Sequence, residues 1–152
     1  MNNRLKSKTR LAFIQIIFQF LSTKNDVNEI FHEFNQNYKN VFIDSIDNKK
    51  IKFEFNSNYL KILVSFYSKL IESKDYFSQI DKHISFNRKF EKWDMINQSI
   101  LLAALSELQN TENAKIKIIF NDYLNIGKLF IDQTNITTIN AILDKIIYDN
   151  KK

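Results

Sequence analysis

Apolar residues recur at intervals of three and four in seven stretches of the chain, and each such stripe predicts one α-helix with a buried face. The first runs through Leu11, Phe13, Ile14, Ile17, Phe18 and Leu21, with Gln15 and Gln19 as its polar interior positions. The second, Val27, Ile30, Phe31, Phe34 and Tyr38, is opened by Asn25-Asp26, with Glu29 placed as in a capping box. A third begins at Ser57 or Asn58 and shows Leu60, Leu63, Phe66, Tyr67, Leu70 and Ile71. A short fourth, from Asp75 to about Ile84, turns Phe77, Ile80 and Ile84 inward, and Asn87-Arg88-Lys89 then breaks the pattern.

The stretch from Phe90 to Leu108 stands apart. Asp94 is placed to cap it, and Ile96, Ile100, Ala103, Ala104 and Leu108 make its stripe. Leu101, Leu102 and Leu105 extend that stripe almost all round, the mark of a central helix. Ala103-Ala104 lets neighbours approach closely, and Trp93 anchors the start. Two more helices follow, from about Lys115 to Phe130 and from Asn135 to Tyr148. The expected architecture is an all-α, single-domain bundle of about seven helices over residues 1–152, with residues 149–152 as a disordered tail.

Residues 39–56 fit none of this. Ile51, Phe53 and Phe55 alternate with Lys52 and Glu54, a strand-like period with no evident partner strand. The expectation is an irregular connection whose aromatic rings pack on the core. Turn signals are scarce throughout, since the chain has one glycine, Gly127, and no proline. Lys, Asn, Ile and Phe are abundant, as AT-rich codon usage would make them.

With 152 residues and 14 Phe, the chain is long enough to bury a core without staples. It has no cysteine, so disulfides and thiolate metal sites are excluded, which fits a cytoplasmic protein. No apolar run reaches the ~20 residues that span a bilayer. There is no Gly-rich phosphate loop, no Gly-flanked Ser and no His pair at metal-ligand spacing. Neither an enzyme nor a bound cofactor or metal is expected. His32 and His83 read as ordinary surface or half-buried residues.

Charge adds one candidate. The net charge is only +5, but residues 1–10 hold Arg4, Lys6, Lys8 and Arg10 and no acid. A basic N-terminal arm running into a rigid helix presents cations to a phosphate backbone at low ordering cost. Asn121 and Asn140, polar positions within apolar helices, read as buried amides that satisfy backbone carbonyls. Asp144-Lys145 reads as a local ion pair or cap.

Trp93, Asp94, Ile96, Ile100, Leu101, Ala104, Glu107 and Leu108 follow the order seen in the central helix of the NusB family of bacterial antitermination factors, which this stretch resembles. Asn97-Gln98 replaces that family's acid-base pair, Leu102 its arginine and Ser106 its tyrosine. The flanks agree. Residues 117–122 with Lys128 and Phe130 are similar to the family's Asn-Glu helix, and Thr138 to Ile146 to its closing Phe-Val-Asn-Gly-Val-Leu-Asp-Lys. Arg10, Gln15 and Phe18 match its first helix, while residues 24–84 match only in helical pattern.

The resemblance implies a NusB-like fold and an RNA-binding factor in antitermination of ribosomal RNA operons. Its implied partners are boxA, a short single-stranded RNA element, and the ribosomal protein NusE, with other Nus factors and RNA polymerase reached indirectly. It also implies RNA contacts by Arg4, Lys6, Lys8, Arg10, Gln15 and Phe18. Thr138 for phenylalanine, Ala141 for glycine and the paucity of arginine point to weaker or more salt-sensitive RNA binding. Two alternatives are a module that binds NusE with little RNA affinity and a stand-alone relative of the NusB-like domain of ribosomal RNA methyltransferases. Either a monomer or a homodimer is compatible with the sequence.

Overall fold

The computed structural model describes residues 1–85 and 88–150, the side chain of Asn150 excepted. Seven α-helices and one small hairpin are present among them: α1 (Asn3–Thr23), α2 (Val27–Asn37), β1 (Phe42–Asp44), β2 (Lys50–Lys52), α3 (Ser57–Glu72), α4 (Tyr76–Asp81), α5 (Met95–Leu108), α6 (Asn113–Gly127) and α7 (Gln133–Asn150). A single 3-10 turn, Phe90–Lys92, precedes α5. No helix of the described residues is long and apolar enough to cross a membrane.

Asn and Asp side chains supply the punctuation that Gly and Pro supply elsewhere. Asn2 Oδ1 accepts from Leu5 N at 2.8 Å, Asp26 Oδ1 from Asn28 N at 2.9 Å and Asn56 Oδ1 from Tyr59 N at 2.8 Å. Each satisfies a backbone donor that the first turn leaves open. Asp94 takes the position before α5 but makes no side-chain capping bond. Lys24 ends α1 in the left-handed region, φ 62°, and donates its N–H to Phe20 O.

Every residue of α5 from Asn97 to Leu108 is buried. Helices α1, α3, α6 and α7 surround it, which is why its sequence lacks a polar face. Ala103 and Ala104 are wholly buried where those helices meet it. Gly127 ends α6 at another close approach, where a Cβ would stand 2.8 Å from Ile136 Cδ1.

Four expectations need correction. Residues 39–56 are not irregular throughout: within them β1 and β2 pair antiparallel with Ile43 opposite Ile51. Phe53 and Phe55 beyond them are buried against Phe34, as expected of aromatics there. The basic arm is not separate, since α1 already begins at Asn3. At the other end α7 continues through Asn150, and His83 Nδ1 lies 3.3 Å from Asp149 Oδ2, so 149–150 are helix. Residues 151–152, and Asn87 of the predicted break, lie outside the described residues. Asn121 and Asn140 are both exposed, so neither is a buried amide.

Candidate nucleic-acid interface

Arg10 is 6 % exposed and faces the interior. Its Nε and Nη2 meet Glu107 Oε1 and Oε2 at 2.9 and 3.1 Å, a two-pronged fork. Nη1 reaches Asp122 Oδ2 at 2.6 Å, and Nη2 also donates to Tyr59 Oη at 2.8 Å. The Tyr59 and Tyr123 hydroxyls both donate to Glu107, the latter at 2.7 Å, and Ser7 Oγ donates to Asp122 Oδ1 at 2.7 Å. Burial alone would pull the guanidinium pKa down. The hydrogen bond and charge of Glu107, with Tyr123 and Asp122, outweigh it and hold the group above its ordinary value. Burial, aided by the Glu107 charge, pushes the Tyr59 and Tyr123 phenols up, so they remain donors.

Arg10 therefore leaves the set of phosphate-binding candidates. Two carboxylates and a hydroxyl already use its fork, and freeing it would strand Glu107 in the core. Its role is to tie α1 to α5 and α6.

The other candidates divide by helix geometry. Arg4, Lys8, Leu11, Gln15, Phe18 and Ser22 follow one another at alternate steps of four and three, so they share one face of α1 about 27 Å long. Arg4 is exposed, and Lys8, Gln15 and Phe18 are half-buried. Lys6, also half-buried, points from a different side. Lys8 Nζ is 3.4 Å from Lys52 O on the hairpin, and no ion pair engages Arg4, Lys6 or Lys8 among the described residues. Cations, an amide and an aromatic ring thus line one face.

Elsewhere, where α7 meets the start of α5, lies a hollow that the sequence pattern does not announce. Ser22 Oγ lies 3.0 Å from Met95 Sδ, the first residue of α5. The hollow, about 160 Å³, is lined by Arg88, Trp93, Asp94, Asn97, Asn135, Thr138 and Ile139. Gln98 is spent, its Nε2 donating to Trp93 O at 2.9 Å. Asn97 is 7 % exposed, and its Oδ1 has no hydrogen-bond partner among the described residues. A buried acceptor left without a partner costs roughly 1–3 kcal/mol. The one signal in the sequence is the polar pair Asn97-Gln98 at the head of a helix otherwise apolar to Leu105 save Ser99.

The family model described as the NusB family matches residues 7–148. The chain belongs to the NusB family. Transcription antitermination protein NusB of Rickettsia bellii (strain OSU 85-389) is 28 % identical over 148 residues, spanning 97 % of this chain and 92 % of that protein. Its counterpart in Rickettsia felis is 25 % identical over 97 % of this chain and 94 % of its own length. A crystal structure of antitermination factors NusB and NusE in complex with double-stranded RNA superposes with a TM-score of 0.69 at 20 % identity, covering 98 % of this chain and 99 % of that one. A second, of a plectonemic RNA supercoil, gives 0.70 at 20 % identity over 97 % and 96 %. At such identity these two structures establish the NusB fold and nothing finer.

Proposed function

We propose that the chain is a transcription antitermination factor. It binds boxA-type single-stranded RNA of ribosomal RNA operon leaders together with NusE, in the cytoplasm, and performs no catalysis of its own. Other Nus factors and RNA polymerase are engaged through that complex. Membership of the NusB family supports the class of activity.

The observation that carries the RNA-binding surface is the α1 face of Arg4, Lys8, Gln15 and Phe18. Arg4 and Lys8 supply charge for phosphates, Gln15 offers an amide to a base edge, and Phe18 offers a ring for stacking. Lys6 adds charge from the flank. Asn97 Oδ1, sealed within the fold, could accept from the exocyclic amino group of a base once the Trp93 and Arg88 walls part. A filter-binding titration with boxA-like RNA, with and without NusE, tests this; no association at low salt rejects it.

A second reading draws on the internal fate of Arg10. Its loss thins the cationic face, which favours a module that keeps NusE while holding RNA weakly. Replacing Arg4, Lys6 and Lys8 by Ala separates the two: ternary assembly that survives unchanged favours the module.

A further inference from the structure

The hairpin of helices α6 and α7 carries a second groove, on the side of α7 away from the Asn97 cavity. One cavity of about 510 Å³ lies between the start of α6 and the end of α7, and another of about 380 Å³ between the end of α6 and the start of α7. Both have Asn121 and Asn140 in their walls, so they adjoin at those residues and together make an α6/α7 channel in two parts. Each falls in the ~300–1,000 Å³ range of ligand sites.

Helix periodicity builds the channel. Lys117, Phe120, Asn121 and Lys128 share one face of α6, with the two lysines about 16 Å apart along the helix. Asn140 and Tyr148 face them from α7. Tyr148 is 64 % exposed, an unusual degree for a large ring. The Asn121 and Asn140 amides make no hydrogen bond, and the two lysines no ion pair, among the described residues. Asp144 is the single acid in the two walls, and no ion pair joins it to Lys145 there, contrary to the expectation for that pair.

We infer that this α6/α7 channel binds a further single-stranded stretch of the RNA held on α1. The inference rests on the RNA-binding reading above for the nature of the ligand. Cations spaced along a groove, aromatic rings between them and uncommitted amides are what an unpaired strand requires for phosphates, base faces and base edges. A third depression, lined by Asn3, Ser7, Asn121 and Asn125 among others, connects the channel to the head of α1, where Arg4 stands next to Ser7. A strand on α1 therefore has a route into the channel without crossing the bundle. A protein segment is the competing occupant, but two lysines against one carboxylate favour a polyanion.

The test uses the full chain and two labelled RNAs, a boxA-like oligonucleotide and the same oligonucleotide extended by a mixed-sequence single strand. Extension should tighten binding about tenfold, the effect of one or two stacked bases. The pairs Asn121→Ala with Asn140→Ala, and Lys117→Gln with Lys128→Gln, should abolish that gain while leaving the short RNA bound as before. A 4-thiouridine placed in the extension should crosslink to peptides of α6 or α7. Equal affinity for both RNAs, or a gain that survives these substitutions, overturns the channel and leaves the α1 reading standing. Failure of both RNAs to bind overturns both. Protection of α6 and α7 from hydrogen exchange by NusE but not by the extended RNA makes the channel a protein site and overturns the inference.

Discussion

Arg10 and Glu107, 97 residues apart in the chain, meet inside the bundle through the Nε/Nη2 edge of the guanidinium and both carboxylate oxygens. Asp122, Tyr59 and Tyr123 complete a closed set of donors and acceptors around them. The pair is structural, and its removal has a defined cost. Arg10→Ala leaves Glu107 buried without its cation and should destabilise by about 3–5 kcal/mol, read as a lowered urea midpoint. Arg10→Lys should recover only part, because an ammonium cannot match the fork. In the fraction that remains folded, the salt dependence of RNA binding should equal that of the unaltered protein.

Arg4 and Lys8 should behave in the opposite manner. Their alanine variants should keep stability within about 0.5 kcal/mol, as exposed or half-buried residues that make no ion pair among the described residues do. RNA affinity should fall, and the slope of log K against log salt should shrink by about 0.7 for each phosphate no longer neutralised. Equal slopes for Arg4→Ala and the unaltered protein would remove Arg4 from the interface.

The contrast between these residues shows what the sequence could convey. Helix spacing is a local property, so seven stripes marked seven helices, and the apolar circumference of α5 marked its central position. Arg4, Lys6, Lys8 and Arg10 look equivalent when read as a run. Rotation about α1 separates them, since Arg10 lies six residues from Arg4 and so turns inward. The clue lay elsewhere: Glu107 is the lone acid in a helix buried all round, and a buried carboxylate demands a cation. The hairpin escaped because its strands are three residues long and its turn uses Asn48 at φ 63° where a glycine would have advertised it. Exposure of Asn121 and Asn140 depends on how far α6 and α7 splay apart, which no single helix encodes.

Alkali should weaken the protein through its tyrosines. Burial raises the Tyr59, Tyr67 and Tyr123 phenols above their ordinary value. The native state thus keeps protons that unfolded tyrosines release near pH ~10. Their contribution is full below that pH and falls as pH rises beyond it, by up to about 1.4 kcal/mol per pH unit for a phenol that stays protonated when folded. Urea midpoints measured from pH 8 to 11 should decline, and Tyr67→Phe should flatten the decline. An unchanged slope in that variant would show that Tyr67 ionises alike in both states.

Asn97 offers the sharpest division between stability and binding. Its Oδ1 is buried and has no hydrogen-bond partner among the described residues, which costs about 1–3 kcal/mol. Asn97→Leu replaces it with an apolar side chain of similar size, so stability should hold or rise by about 1 kcal/mol. If the oxygen exists to accept from a base amino group, the same variant should lose about tenfold in affinity for boxA-like RNA. That loss should vanish against an RNA in which the contacted base lacks its amino group, because neither protein then gains the bond. A variant both more stable and equally tight toward every RNA would reduce the cavity to a packing defect, leaving the α1 face to bind alone.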